Sequence, residues 1–175
     1  MLVKKSLYLI RHAKSSWSDP DLADHDRPLN SRGLRDKEVM SKFIRSHFSD
    51  IEIIFSSSAC RALDYALSIH RHTNIPLNVE ERLYTFKVRP ILQFVFDLPD
   101  SYKTVALIGH NPAMTEAVNL FARLKPEKKI VNLPTAAIVK IEFETTNWSS
   151  IGKYSGAVVD FAKPKNLDSY EDDLD

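Results

Sequence analysis

The sequence has few of the residues on which several common functional sites depend. Its 175 residues include four glycines, which do not form the G-x-G-x-x-G or G-x-x-x-x-G-K-[ST] patterns of the usual nucleotide-binding loops. The single cysteine, Cys60, cannot form a disulfide within the chain, and this is typical of a reducing compartment. No loop of backbone donors closed by an arginine follows Cys60. The sequence therefore argues against a cysteine-dependent phosphatase.

A strong charge of either sign and a long apolar run are also missing. The formal net charge is +1, so electrostatics gives no reason to expect a nucleic acid or a membrane as partner. The first apolar run is short and reaches Arg11 at once, which excludes a secretory signal or a membrane span there. We expect a cytoplasmic monomer.

Hydrophobic residues make up 43% of the sequence, enough for the core of one domain. There is no internal repeat and no linker composition. We predict a single domain over residues 1–165, followed by an acidic tail over residues 166–175 that is frayed.

Apolar segments alternate with amphipathic ones along the chain. Buried strands are predicted around residues 7–10, 51–55 and 104–108, and helices follow them with apolar residues at three- and four-residue spacing. Residues 138–144 alternate between apolar and charged side chains, which indicates a strand with one solvated face. This order predicts an α/β domain, a three-layer αβα sandwich with a mostly parallel central sheet.

Basic side chains stand at the ends of three predicted strands. Arg11 and His12 follow the first strand, Arg61 lies in the first turn of the helix after the second, and His110 follows a later one. Because the carboxyl ends of parallel strands share one edge of a sheet, we expect these side chains to face one pocket. Such a cluster is self-repelling unless an anion binds, and a phosphate dianion suits it.

Several segments with this spacing resemble the histidine phosphatase superfamily, in the branch that includes the phosphoglycerate mutases. The similarity is greatest to the SixA-type phosphohistidine phosphatases, and the phosphoglycerate mutase-like fold is implied by it. The matching segments follow the expected order over nearly the whole chain: Leu7 to Trp17, His25 to Gly33, Ser56 to Leu63, Val105 to Pro112, Leu133 to Ala137 and Asp160 to Lys165.

The resemblance implies that His12 is the nucleophile and that Arg11, Arg61 and His110 bind the phosphoryl group. Attack requires an unprotonated nitrogen on His12, and a protonated His110 would add positive charge beside the two arginines. No metal and no cofactor are expected, since fixed cations already supply the charge. Ser18 falls where relatives often place a phosphate ligand, and Asn111 directly follows His110; both are candidate substrate ligands.

The sequence departs from the family pattern at two positions. Ala13 replaces the glycine of the usual R-H-G motif, a mild change that is familiar in the SixA-type group. Thr85 occupies the place where mutase-like members carry a glutamate that donates a proton. We take Asp26 as the substitute general acid and Glu81 as a weaker candidate. A leaving imidazole needs a proton less than an alkoxide does, so the missing glutamate favours phosphohistidine as substrate.

Three functions are consistent with these sequence features. The leading one is dephosphorylation of phosphohistidine on a partner protein, such as a histidine phosphotransfer domain; the others are hydrolysis of small phosphate monoesters and non-catalytic phosphate binding. Residues 73–103 leave little chain for a lid, so we expect no large lid insertion and a shallow, open pocket. Four aspartates of the loop after the first strand lack the pattern of a calcium loop and are interpreted as solvated: Asp19, Asp21, Asp24 and Asp26.

Overall fold

The computed structural model describes residues 1–167. The strands are β1 (Val3–Arg11), β2 (Ile53–Ser56), β3 (Leu77–Val79), β4 (Thr104–Gly109), β5 (Ile138–Thr145) and β6 (Ala157–Ala162). The α-helices are α1 (Ser31–His47), α2 (Cys60–Thr73), α3 (Val88–Phe96) and α4 (Ala113–Phe121). Single 3-10 turns lie at Asp24–Asp26, Glu81–Leu83, Pro126–Lys128, Trp148–Ser150 and Pro164–Asn166.

All six strands form one sheet in the order β3-β2-β4-β1-β5-β6. The first four of these are parallel to one another, and β5 and β6 are antiparallel to their neighbours. In β5, apolar residues such as Ile141 and Phe143 are buried while Glu144 is exposed, as the alternating pattern predicts. The mostly parallel sheet predicted from the sequence is confirmed.

Strand β1 lies inside the sheet and has both faces covered. Leu7 and Leu9 pack into a core with residues of α3 and α4, whereas Tyr8 and Ile10 pack into a second core with residues of α1 and α2. All four side chains are fully buried, and burial of one such side chain contributes roughly 1.5–3 kcal/mol. Because helices cover both faces of the sheet, the three-layer αβα sandwich is confirmed.

The loop after β1 is fixed against the start of α1. The side chain of Asn30 caps the helix by accepting a hydrogen bond from the backbone N–H of Gly33 (2.8 Å). A Cβ atom on Gly33 would overlap the carbonyl of Lys14, so only glycine lets the two segments approach so closely. This contact fixes the position of Lys14, which closely follows the predicted site residues Arg11 and His12.

Residues 74–103, between α2 and β4, form β3, one 3-10 turn and α3. They contain no large lid insertion, in agreement with the prediction from the sequence. Within residues 1–167, no helix is both long and apolar enough to cross a membrane. At the other end of the described chain, Leu167 is buried against the core on the α1 side, and the rest of the predicted tail lies outside the described residues.

Candidate active site

The carboxyl ends of β1, β2 and β4 bring the predicted phosphate-binding residues together. Arg11 pairs with Gly109 across β1 and β4, and the backbone N–H of His12 donates to the Gly109 carbonyl (3.0 Å). The ring centroids of His12 and His110 are 5.1 Å apart. The backbone ladder of the sheet therefore sets the relative positions of these side chains.

His12 is held with one ring nitrogen free to react. Its Nδ1 lies 2.6 Å from the carbonyl oxygen of Ala13, which can only accept a hydrogen bond. Nδ1 therefore carries the proton, and Nε2 keeps its lone pair. Burial, followed by the charges of Arg61 and Arg11, lowers the pKa of His12 to about 3, although the hydrogen bond to Ala13 opposes this shift. His12 is thus neutral and oriented at pH 7, and its role as nucleophile stays a prediction.

His110 is held by a serine that the sequence analysis missed. The Ser57 hydroxyl lies 2.7 Å from Nε2 of His110 and accepts a hydrogen bond from the backbone N–H of Ala59 (3.2 Å). The Ser57 hydroxyl therefore donates its hydrogen to Nε2 of His110, and the ring proton of His110 lies on Nδ1. This Nδ1 is buried and has no hydrogen-bond partner within residues 1–167. The run of serines Ser56–Ser58 after β2 is the sequence feature that could have identified Ser57.

The expectation of a protonated His110 is wrong for the free protein. Burial, with the neighbouring His12 and Arg61, lowers the pKa of His110 to about 3. A cation at this position would lie out of water and next to other positive charges. His110 is therefore a neutral hydrogen-bond donor at pH 7, and Arg11 and Arg61 supply the fixed charge.

The two arginines are anchored differently. Arg61 is 2% exposed and donates from Nη1 to the carbonyl of Asp24 (2.6 Å) and from Nη2 to its carboxylate (2.9 Å). Arg11 donates from Nη1 to the carbonyl of Leu133 (2.8 Å), while its Nε is buried and unpaired within the described residues. The Leu133–Ala137 segment, noted as a matching motif, thus supports the site, since Ala136 also donates its N–H to the carbonyl of His12.

Asp24 connects the loop after β1 to the phosphate-binding residues. Its carboxylate accepts hydrogen bonds from Arg61, from Arg27 (3.1 Å) and from the hydroxyl of Tyr84 (2.7 Å). Burial alone would raise the pKa of Asp24, but the hydrogen bonds from Tyr84 and Arg61 and the charge of Arg61 lower it to about 2. The interpretation of Asp24 as a solvated loop residue is wrong, because it holds a buried arginine.

The two candidate substrate ligands have partners of their own. Ser18 is exposed, and its hydroxyl bonds to the hydroxyl of Ser16 (2.8 Å). Asn111 donates from Nδ2 to the side chain of Asn132 (2.7 Å) and to the carbonyl of Leu133 (3.0 Å), and its Oδ1 accepts from Thr115. Asn111 therefore fixes the segment that holds Arg11. Contact of Ser18 or Asn111 with a substrate stays a prediction.

The two candidate general acids, Asp26 and Glu81, are both connected by hydrogen bonds to His25. His25 was not predicted from the sequence to belong to the site. Asp26 accepts a hydrogen bond from Nδ1 of His25 (3.2 Å). Nε2 of His25 lies 2.9 Å from the Ser58 hydroxyl, which donates to the carboxylate of Glu81 (2.7 Å). The predicted replacement of the missing acid by Asp26 stays a prediction, and His25 is a third titratable group beside it.

Two exposed aromatic side chains lie at the rim of the site. The indole ring of Trp17 is 75% exposed and stacks on the guanidinium of Arg27, 3.3 Å from the ring centroid. Phe86 is 48% exposed, and its ring centroid lies 5.8 Å from that of His110. Next to Arg11, a groove of about 490 Å³ is lined by residues that include Asn111 and Asn132. Within residues 1–167, no group of three histidine, cysteine or acidic side chains is arranged to hold a metal ion.

Comparisons with known proteins agree with this geometry. Residues 7–89 match the model of the histidine phosphatase superfamily, branch 1. The chain is 26% identical over 162 residues to the uncharacterized protein Rv1276c of Mycobacterium tuberculosis. The aligned region covers 89% of this chain and 100% of that protein.

Two solved structures share the fold over nearly their full length. The SixA protein of Nakamurella multipartitia superposes with a TM-score of 0.78 at 21% identity, covering 93% of this chain and 97% of that one. The protein histidine phosphatase SixA complexed with tungstate gives a TM-score of 0.76 at 20% identity, covering 93% and 99%. Residues 7–89 are thus similar to the histidine phosphatase superfamily, and the chain shares its fold with the SixA proteins.

Proposed function

We propose that the protein is a metal-independent phosphatase in which His12 takes the phosphoryl group, and that it acts on phosphohistidine carried by a partner protein. One observation carries the proposal. Two buried nitrogens of the site, Nε of Arg11 and Nδ1 of His110, have no partner within the described residues, and Nε2 of His12 keeps its lone pair. Buried polar groups are rarely left unpaired unless a ligand completes them.

The groups around His12 suit transfer of a phosphoryl group in two steps. Arg11, Arg61 and Nδ1 of His110 donate to the equatorial oxygens, whose charge the two guanidiniums offset in a site of low dielectric. His12 Nε2 attacks phosphorus, and water then hydrolyses the phosphohistidine and regenerates the free imidazole.

The open rim supports a substrate carried on a protein. Without a lid insertion, the site cannot surround a small molecule, but it can admit a histidine that projects from a folded surface. Trp17 and Phe86 offer exposed aromatic area of the kind found at protein interfaces. The rival, a hydrolase of small phosphate monoesters, is favoured by the groove beside Arg11.

A phosphate-release assay tests the proposal. The substrates are a phosphorylated histidine phosphotransfer domain, free phosphohistidine and a panel of phosphate monoesters, with His12→Ala as the background. We expect kcat/KM to be highest for the protein substrate by roughly tenfold or more, since only a protein contacts the rim. A monoester that is better by the same margin would establish the small-molecule rival. Phosphate binding without turnover of any substrate would mark a non-catalytic binding module.

Trp17→Ala sharpens the same assay. It removes exposed contact area while leaving His12 and the three phosphate-binding residues in place. We expect a several-fold higher KM for the protein substrate and little change for a monoester. An equal change in KM for both substrates would show that Trp17 does not contact the protein substrate specifically.

We also propose that the protein works as a monomer in the cytoplasm. The free thiol of Cys60 is exposed at the start of α2, next to Arg61, and such a thiol stays reduced best in a reducing compartment. Cell fractionation and analytical ultracentrifugation test the two statements separately.

A further inference from the structure

The groups inside the phosphate pocket have no proton to give a leaving group. Arginine does not deprotonate in proteins. The proton of His12 is bound to the Ala13 carbonyl, and burial keeps His110 neutral at pH 7. The hydroxyl of Thr85, at the family's acid position, donates to the backbone carbonyl of Lys87 (3.3 Å). A proton for the departing atom must therefore come from the rim.

His25 is placed at that rim with both ring nitrogens facing acceptors. The carboxylate of Asp26 accepts from Nδ1. Because the Ser58 hydroxyl uses its hydrogen on Glu81, its oxygen is left to accept from Nε2. A neutral imidazole has one N–H and could satisfy only one of these acceptors, whereas an imidazolium satisfies both. A protonated His25 can therefore donate to both Asp26 and Ser58.

The backbone and the ring of His25 both border the phosphate-binding groups. The residue before it, Asp24, binds Arg61 through its carbonyl and its carboxylate. The ring packs edge-on against Tyr84 with a centroid distance of 4.9 Å, and Tyr84 packs in the same way on His110 at 5.4 Å. The side chain of His25 is 39% exposed, so its ring is accessible from solvent.

We propose that His25 is the proton donor to the leaving group, with Asp26 and the Ser58–Glu81 pair orienting its ring. The inference rests on the proposed phosphatase function. As His12 Nε2 forms its bond to phosphorus, the bond from phosphorus to the leaving oxygen or nitrogen breaks, and that atom keeps the electron pair and takes the proton of His25 Nδ1. The Nδ1 contact is the longer of the two and ends on an exposed carboxylate, so it yields more easily than the contact with Ser58.

The second step restores the proton. Water attacks phosphorus and gives its proton to the neutral His25, while the bond from phosphorus to His12 breaks and its electron pair returns to Nε2. Phosphate leaves, and the net change is hydrolysis of one phosphate bond. The charged and titratable groups around His25 include Asp24, Asp26, Glu81, Arg61, Tyr84 and His110.

His25→Gln is the decisive variant, because its side-chain amide can still donate to Ser58 but has no titratable proton. The substrates are aryl phosphates with leaving groups of graded basicity, from p-nitrophenyl to phenyl phosphate. We expect kcat/KM for phenyl phosphate to fall by roughly 10²-fold, with only a small change for p-nitrophenyl phosphate, since a general acid matters most for a basic leaving group. Equal losses on all esters, or no loss on any, would overturn the proposal.

Two further measurements complete the test. With phenyl phosphate, kcat/KM of the wild type should fall at high pH, as expected when a general acid is required, and His25→Gln should lack this limb; the same limb in both would contradict the role of His25. Asp26→Asn and Glu81→Gln should each show smaller losses with the same leaving-group dependence, and a larger loss for Asp26→Asn would make Asp26 the donor instead.

Turnover of p-nitrophenyl phosphate by His25→Gln also shows that the variant is folded. Absence of the phosphatase activity on which the inference rests looks different, because the wild type would then hydrolyse none of the phosphate compounds.

Discussion

The phosphate pocket has two sides that are held in place by different means. On one side, Arg11, His12 and His110 follow parallel strands, whose backbone hydrogen bonds fix their positions. On the other side, His25 and Asp26 lie on a single 3-10 turn that has no buried residue and is held by side-chain hydrogen bonds.

The strand side is therefore rigid and suited to a constant charge pattern. The turn side depends on hydrogen bonds between charged side chains, so it should respond more to the loss of single charges. Substitutions on the two sides should accordingly differ in kind as well as in size.

The largest effect is expected on the strand side, from His12→Ala. Turnover should fall by a factor on the order of 10⁴ or more, because no other group can take the phosphoryl group. Weak phosphate binding should persist, since Arg11, Arg61 and His110 remain, and isothermal calorimetry can measure it. Covalent phosphate on the variant during turnover, detected by rapid acid-free quenching, would show that His12 is not the nucleophile.

An intermediate effect is expected on the turn side, from Asp24→Asn. The charge that holds Arg61 is lost while the shape is kept, and misplacement of one phosphate-binding arginine should lower kcat/KM by roughly 10- to 100-fold. Steady-state kinetics measures this change. Asp21→Asn, in the same loop but exposed, is the matched control and should behave as wild type. If both variants lose activity equally, the contact with Arg61 is not the cause.

The strand side should also make stability depend on pH. Burial keeps the pKa of His12 and of His110 at about 3, against an ordinary value of 6.5 in the unfolded chain. Between these values the unfolded chain binds more protons, so the free energy of unfolding falls as pH falls, by about 2 kcal/mol per histidine from pH 6.5 to 5.

Urea denaturation at pH 7 and pH 5 checks the size of this effect. His110→Gln should have the smaller difference between the two pH values, whereas the exposed His47→Gln should keep the wild-type difference. Asp24, with a pKa of about 2, contributes the same amount at both values, because its stabilisation is lost only below its unfolded pKa of 3.8. An unchanged difference in His110→Gln would mean that His110 is not buried as a neutral group.

The smallest effect is expected from removal of metal ions. The charge at phosphorus comes from Arg11 and Arg61, so dialysis against a chelator should leave phosphate release unchanged. Loss of activity with chelator, restored by one divalent ion, would contradict the metal-free mechanism.

The strand side could be predicted from the sequence because its information is local and periodic. The apolar run Leu7–Ile10 identifies a strand buried on both faces, and residues directly after such strands must meet at one edge of a parallel sheet. The resemblance of the motifs then suggested roles for those residues. The same reasoning led to the αβα sandwich without a lid, which the structure confirms.

The turn side could not be predicted because long-range hydrogen bonds determine it. Asp24 bonds to residues 37 and 60 positions away, and nothing in its own segment distinguishes it from Asp21. Likewise, the contact between His25 and Ser58 spans 33 residues. The protonation of His110 was misjudged for a related reason, since burial depends on the packing of the whole domain.

The stacking of Trp17 on Arg27 has a practical consequence for spectroscopy. The protein has two tryptophans, and the other, Trp148, is fully buried near Lys5, at the opposite end of β1. Iodide should quench the emission of Trp17 and leave that of Trp148 untouched, because only the first indole is exposed. Binding of an anion beside Arg27 should then alter the quenchable fraction alone, which gives a direct optical titration of the pocket, while the protected fraction reports on unfolding of the core.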